Sequence, residues 1–205
     1  MCKKMQEVII DLSTFYASTA KLTELSSYIQ KARDLAGNGN VVVLTGAAPV
    51  WLYLKIAHVL YEKAWKLIDR SPVAGDMEIF THSPVFYDYK KGDMEQEKGQ
   101  AACREVVIDL STFWYPNARF SDLSSKIHEA VELASEDYDR VVVLTGEAPV
   151  WLYLKIANAL EGEVKNLIYR PRITDEVEIS GQRPCREFIV NLAPEGTACG
   201  MQAQR

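Results

Sequence analysis

The sequence predicts an α/β fold in two tandem copies, each carrying a mainly parallel sheet and packed on its twin as an intramolecular pseudo-dimer. Three observations predict it. The segment Val41 to Leu60 returns as Val141 to Leu160, changed only where Ala47 becomes Glu147, His58 becomes Asn158 and Val59 becomes Ala159. Likewise Glu7 to Phe15 returns as Glu105 to Phe113, with Val107 in place of Ile9. Short β-branched runs without polar alternation read as parallel strands covered on both faces. Strand and helical periods alternate in the order β-α-β-α-β-β, which is the pattern of an α/β unit. Two copies of one unit imply a pseudo-twofold assembly, and such an assembly suits a symmetric ligand.

Each element has a local reason. Val8-Ile9-Ile10 and Val106-Val107-Ile108 are strands that end in Asp11-Leu12-Ser13-Thr14 and Asp109-Leu110-Ser111-Thr112. From Lys21 to Ala36, the apolar residues Leu22, Leu25, Ile29, Ala32 and Leu35 follow helical spacing, as do Leu123, Ile127, Val131 and Leu133-Ala134 in the second copy. Val41 to Leu44 forms the next strand, which Thr45-Gly46 breaks. Pro49 suits a first helical turn, and the helix runs to about Lys63. Lys66-Leu67-Ile68 and Met77 to Phe80 close the unit as two short strands. The copies align with an offset of 98 up to Leu35 and Leu133 and of 100 afterwards, so the loop between Ala134 and Arg140 is two residues longer. The predicted organisation is a first repeat over 1–88, a polar linker over 89–103 and a second repeat over 104–205 that ends in a loose tail from Gly196.

At 205 residues and 48% hydrophobic content, the chain has enough apolar material for one sizeable core or two small ones. A net charge of -5 argues against general DNA or RNA binding and against an anionic membrane surface, while leaving room for a local basic pocket. Cys2, Cys103, Cys185 and Cys199 share no CxxC spacing and read as thiols of a reducing compartment. The N-terminus lacks the apolar run of a signal peptide, and no stretch approaches the ~20 apolar residues of a membrane span. The expectation is a soluble, cytoplasmic protein without membrane contact.

The candidate site begins at the turn. A strand, Thr-Gly, a small residue, Ala-Pro and then a helix is a recipe for anion binding, because the following amides are unpaired at a positive helix end. This marks Thr45, Gly46, Ala47, Thr145, Gly146 and Glu147 as ligand contacts, with Ser13, Thr14, Ser111 and Thr112 beside them. The alternative is a plain structural turn. On the helix, Trp51, Lys55, His58 and Glu62 form one stripe beside a core stripe of Leu52, Ile56, Val59 and Leu60. It reads either as a solvated or partner-facing edge or as a stacking surface beside a cation, repeated at Trp151 and Lys155. The copies then diverge in chemistry. His58 pairs with Asn158, Asp69 with Tyr169 and His82 with Gln182, whereas Lys55, Arg70, Lys155 and Arg170 are kept. That fits two binding halves with one chemical half; drift at surface positions is the alternative. His128, opposite Gln30, reads as surface.

The segment Thr45-Gly46-Ala47-Ala48-Pro49-Val50-Trp51-Leu52, with Ala57-His58, Ile68-Asp69-Arg70 and Thr81-His82-Ser83, resembles the small ring-nuclease family of type III CRISPR systems called Csx-three. That family belongs to the CRISPR-associated Rossmann-fold (CARF) superfamily, and Lys91-Gly92-Asp93 is similar to a Gly-Asp turn found in it. The resemblance covers most of each copy, and only the Gly-to-Trp turn is specific. It implies two Rossmann-like (CARF-like) repeats that bind cyclic tetra-adenylate at a pseudo-twofold cleft, with antiviral defence as the setting. It also implies cleavage with the help of manganese, with Asp69 and His82 as metal ligands. The chain departs from the family in being tandem instead of a homodimer. It carries Val59-Leu60-Tyr61-Glu62 where the family is His-rich, and Asp69-Arg70-Ser71 and Tyr169-Arg170-Pro171-Arg172 in place of Asp-Pro-Arg.

The functional expectation is therefore a ring nuclease that binds cyclic oligoadenylate and degrades it to linear products, switching off type III CRISPR signalling. His58 or His82 would act as base or metal ligand, Asp69 would bind metal or orient a histidine, and Arg70 with Lys55 would hold phosphate. The alternatives are a non-catalytic sensor or sponge, and a structural protein whose duplicated helices form an oligomer face. A homo-oligomer sandwiching the ligand is a further expectation.

Overall fold

A computed structural model describes residues 5–82, 105–112, 114, 120–135, 140–171 and 176–181. The four cysteines, the linker, the tail, Ser83, Gln182 and Lys91-Gly92-Asp93 lie outside them, as do the side chains of Leu123 and Leu133-Ala134.

The first repeat runs β1 (Glu7–Asp11), α1 (Leu25–Ala36), β2 (Val41–Thr45), α2 (Val50–Leu60), β3 (Lys66–Ser71) and β4 (Gly75–Thr81). The second runs β5 (Glu105–Asp109), α3 (Phe120–Ser135), β6 (Val141–Thr145), α4 (Val150–Ala159), β7 (Asn166–Tyr169) and β8 (Val177–Gly181). Two four-stranded sheets result, ordered β1-β2-β3-β4 and β5-β6-β7-β8. In each, three strands are parallel and the last is antiparallel, with a register shift at Leu67/Ile68 and again at Leu167/Ile168. This is an α/β architecture compatible with Rossmann-like folds, in the predicted element order.

The central strands β2 and β6 are buried on both faces, as expected, whereas the edge strands β1 and β5 are open on one. Val42 and Leu44 belong to the main core, whereas Val43, though fully buried, lies outside that cluster on the opposite face. Its ladder partner Ile9 is 56% exposed, and Val107 in the second repeat is 52% exposed. Successive right-handed crossovers between neighbouring strands place α1 and α2 on one face, so only that face receives helices. On the other face the edge positions Ile9 and Val107 are exposed, while Val43 and Val143 of the central strands are fully buried.

The helices show a similar shift. Helix α1 buries Tyr28, Ala32 and Ala36, while Leu22 and Leu35 are exposed. Leu22 sits in a 3-10 turn (Leu22–Glu24) before the helix begins and outside its period, while Leu25, Ile29 and Ala32 of the expected stripe pack on the core. Gly37, at φ 63°, ends α1 and donates its amide to the Arg33 carbonyl. Helix α2 stops at Leu60, short of Lys63, as Lys63 and Ala64 donate their amides back to the Leu60 carbonyl.

Helix α2 buries Trp51, Leu52, Tyr53, Leu54, Ile56 and Leu60, leaving Val59 half-buried. This arc is wider than one stripe because α2 packs against α1, α4 and β8, and α4 packs against α3, β3 and β4. The two repeats thus meet through α2 and α4, and each helix also touches the last strand of the other repeat. Burial of an aliphatic or aromatic side chain stabilises by roughly 1.5–3 kcal/mol, so this seam is a major source of cohesion.

Candidate functional site

The turn after β2 is built by close approach. Gly46 has φ 97°, and a Cβ there would lie 2.0 Å from Asp11 Oδ1. Gly146 repeats this at φ 100° and 2.0 Å from Asp109 Oδ1. Only glycine admits both that dihedral and that neighbour. The carbonyl of Gly46 accepts the Tyr53 hydroxyl at 2.6 Å and that of Ala47 accepts the Tyr16 hydroxyl; Tyr153 does the same for Gly146 at 2.6 Å. Tyr53 and Tyr153 were not among the residues the sequence singled out. Their signal was identity in both copies seven residues after the glycine.

The hydroxyls beside the turn are engaged too. Ser13 donates its amide and hydroxyl to Asp11 Oδ1 at 2.9 and 2.6 Å, and Thr14 donates to the Asp11 carbonyl at 2.7 Å. Ser111 and Thr112 repeat these bonds on Asp109. Thr45 and Thr145 donate to the carbonyls of Arg70 and Arg170. The identical flanking residues thus have a structural role, holding three strand ends together. Ala47 and Glu147 sit exposed at the tip of their turns.

The predicted cations are committed elsewhere. Arg70 grips Asp76 with two bonds of 2.7 and 2.9 Å, with Glu7 nearby. Arg170 pairs with Glu176 and, at 3.0 Å, with Glu105. Lys55 donates across the seam to the Ile179 carbonyl at 3.2 Å; burial lowers its pKa against the opposing pull of Glu178. Lys155 is lowered by burial in the same way, against Glu78. These lysines join each helix to the other repeat's last strand, and neither lies on an open phosphate site.

The three candidate catalytic residues are not brought together. Asp69 pairs in register with Leu44 at the carboxyl end of the parallel strands, near the Gly46 turn. It is 2% exposed, and burial pushes its pKa up to about 6. His82 lies at the other end, its amide bound to the Trp65 carbonyl just before β3, so about 13 Å of strand separates the two rows. The His82 ring donates from Nε2 to the Tyr61 carbonyl at 2.6 Å and packs against Tyr61 and Phe80. His58 is also at that far end, roughly 12 Å along α2 from its start. Its Nδ1 donates to Glu161 at 3.0 Å, across the repeats. Glu161 occupies the position equivalent to Tyr61, so His58 and Glu161 are a complementary pair of substitutions in the seam. His58, Glu161, Tyr61 and Asn158 border a small cavity of about 20 Å³, room for one water.

Asp69 and His82 therefore do not fit a shared manganese ion, because they sit at opposite ends of the sheet, Asp69 near the end of β3 and His82 just after β4. Among the described residues, no three His, Cys, Asp or Glu side chains are placed to hold a metal. His128 is a surface residue, pairing with Glu132 at 3.3 Å on its own helix.

One opening does join the repeats at the carboxyl end of the sheets. A cleft of about 350 Å³ is lined by Tyr16, Ser18, Thr19 and Trp51 from the first repeat and by Tyr169 and Pro171 from the second. Trp51, in the first turn of α2, is the one predicted ligand contact on its wall. Trp51 and its counterpart Trp151 are both buried, so Trp51 meets the cleft only by its edge, and Trp151 packs edge-on against Trp114 at 5.7 Å. Sequence reasoning missed Tyr16, Ser18 and Thr19 because they stand in an irregular loop with no period.

No protein-family model matches the chain, and no curated protein matches it. No helix among the described residues is long and apolar enough to cross a membrane.

Proposed function

We propose that the chain is an intramolecular pseudo-dimer that binds cyclic oligoadenylate, with cyclic tetra-adenylate as its ligand, in the cleft between its two CARF-like repeats, and acts as a sensor or sponge. The observation that carries this reading is the cleft itself: aromatic and hydroxyl side chains from both repeats face one space of about 350 Å³. Small-molecule sites span ~300–1,000 Å³, so this space takes one unit of such a ring, and a further copy of the chain would cover the remainder. The sequence resemblance to ring nucleases supplies the ligand class.

A second reading, degradation of the ring to linear products, rests on Asp69. A carboxyl raised to about 6 at the same end of the sheets as the cleft is poised to exchange a proton near neutrality. Without His58 or His82 beside it, Asp69 would be the sole titratable group of the original trio near the ligand. Binding without turnover is therefore the primary reading.

The test is incubation with radiolabelled cyclic tetra-adenylate, with and without manganese, followed by a native gel and product separation. Retarded, intact ligand is the expected result. Linear product that disappears in Asp69→Asn would establish the second reading, and no retardation under any condition would remove both.

A further inference from the structure

We infer that the space between α2 and α4 is a binding site for one buried water, which joins Asn158 of the second repeat to the His58–Glu161 pair across the seam. The inference stands apart from the cleft and from its proposed ligand. The space, about 20 Å³, is bordered by equivalent residues of the two repeats: Ala57 with Ala157, His58 with Asn158 and Tyr61 with Glu161. Alanine at both equivalent positions leaves it unfilled by side chains. A space of ~10–15 Å³ or more holds a water where two to four polar groups can bind it, whereas an apolar one stays dry. Three polar side chains border this one. Asn158 Oδ1 is buried and has no hydrogen-bond partner among the described residues, a state that leaves its desolvation uncompensated. Glu161 Oε2 accepts from His58 Nδ1 at 3.0 Å, and a carboxylate with about four lone-pair sites keeps further acceptor capacity. A water between them gives one hydrogen to Asn158 and the other to Glu161. Either end of the Asn158 amide is served, because water both donates and accepts.

The unequal repeats explain why Asn158 needs a solvent partner. The counterpart of the His58–Glu161 bond would join Asn158 to Tyr61. The Tyr61 ring is instead held against β4, edge-on to Phe80 at 5.2 Å and to His82 at 4.9 Å, and the Tyr61 carbonyl accepts His82 Nε2 at 2.6 Å. In the second repeat Ser180 stands in the place of Phe80, with the same ladder position opposite Leu167 that Phe80 has opposite Leu67. Glu161 accordingly reaches across to His58. One side of the seam closes with a direct bond, and the other closes through water.

The test pairs a high-resolution crystal structure of the full chain with magnetic relaxation dispersion of labelled water oxygen in solution. A density peak at hydrogen-bond distance, ~2.7–3.2 Å, from both Asn158 and Glu161 is the expected result. In solution, Ala57→Val, which fills the space, should lose one long-lived water relative to the parent chain. Should that variant fail to fold, Asn158→Leu, which keeps the volume and removes the acceptor, should show the same loss. Density showing Asn158 bonded directly to Tyr61 would overturn the inference, as would no density in the space with unchanged dispersion in both variants. So would a peak with anomalous signal ~2.0–2.2 Å from His58 and Glu161, which marks a zinc-like cation in place of water.

Discussion

Position 69 in the first repeat and position 169 in the second share one place in the fold and hold opposite chemistries. Asp69 pairs in register with Leu44, and Tyr169 with Leu144. Both are buried. Tyr169 fills its place with a ring against Tyr153, which is ordinary aromatic packing. Asp69 puts a carboxyl into equivalent surroundings, where burial raises its own pKa and its charge adds to the burial that raises the Tyr53 phenol. Two helices of almost identical sequence thus flank two strand ends of different polarity. The comparison teaches that the turns are equivalent, whereas the copies part at the strand end beside them, Asp69 against Tyr169, and at the seam, where Tyr61 to Lys66 become Glu161 to Asn166.

The equivalence of the turns is broken most severely at glycine. Gly46→Ala and Gly146→Ala each force a side chain onto an aspartate oxygen at 2.0 Å in a left-handed conformation. Each should cost about 3 kcal/mol or more, read from urea unfolding midpoints. Similar losses in both are the signature of equivalent turns; a loss under about 1 kcal/mol in either would mean that its turn opens freely.

A smaller effect sharpens the asymmetry at Asp69. A folded-state pKa raised from 3.8 to about 6 means that the native state holds this proton more tightly than the unfolded chain. Stability from this group is complete below pH 4, declines as pH rises to 6, and is flat above. Asp69→Asn should therefore stabilise the protein by about 1–3 kcal/mol at pH 7.5 and flatten the acid limb of the stability curve. Tyr169→Phe should show no such pH dependence. A destabilising Asp69→Asn would instead mean that the ionised carboxylate is held by a partner.

The smallest effect probes the seam. His58 and Glu161 are each about a third or less exposed, at 32% and 25%, and their bond joins unlike positions of the two repeats. A double-mutant cycle with His58→Gln and Glu161→Gln should give a coupling of about 0.5–1 kcal/mol. Zero coupling would identify the pair as two independent surface groups.

Much of the fold was legible because its determinants are local. Strand ends at Asp11 and Asp109, the Gly46 and Gly146 turns, the Pro49 helix start and the element order all follow from neighbouring residues. The repeat itself extends further in sequence than two copies: Cys185-Arg186-Glu187-Phe188-Ile189-Val190-Asn191-Leu192 echoes Cys103-Arg104-Glu105-Val106-Val107-Ile108-Asp109-Leu110, outside the described residues. The helix faces were partly legible. Periodicity located α1 but included Leu22, which stands in a 3-10 turn with a different period, and Leu35, which is exposed in the last turn of α1.

The site was the least legible part, for a reason of distance. Residue type marked Lys55, Arg70 and His58 as binding or catalytic groups. Their partners, the Ile179 carbonyl, Asp76 and Glu161, give them structural work instead. Two of those partners lie more than 100 residues away in the chain. By itself the sequence determined the duplicated α/β unit, its strand ends and its glycine turns, because backbone geometry and side-chain period act over a few residues. Only the tertiary structure decided which strand positions stay open, which charges are neutralised and that Tyr169 and Trp51 border one cleft, because burial and electrostatics depend on what the other repeat brings near.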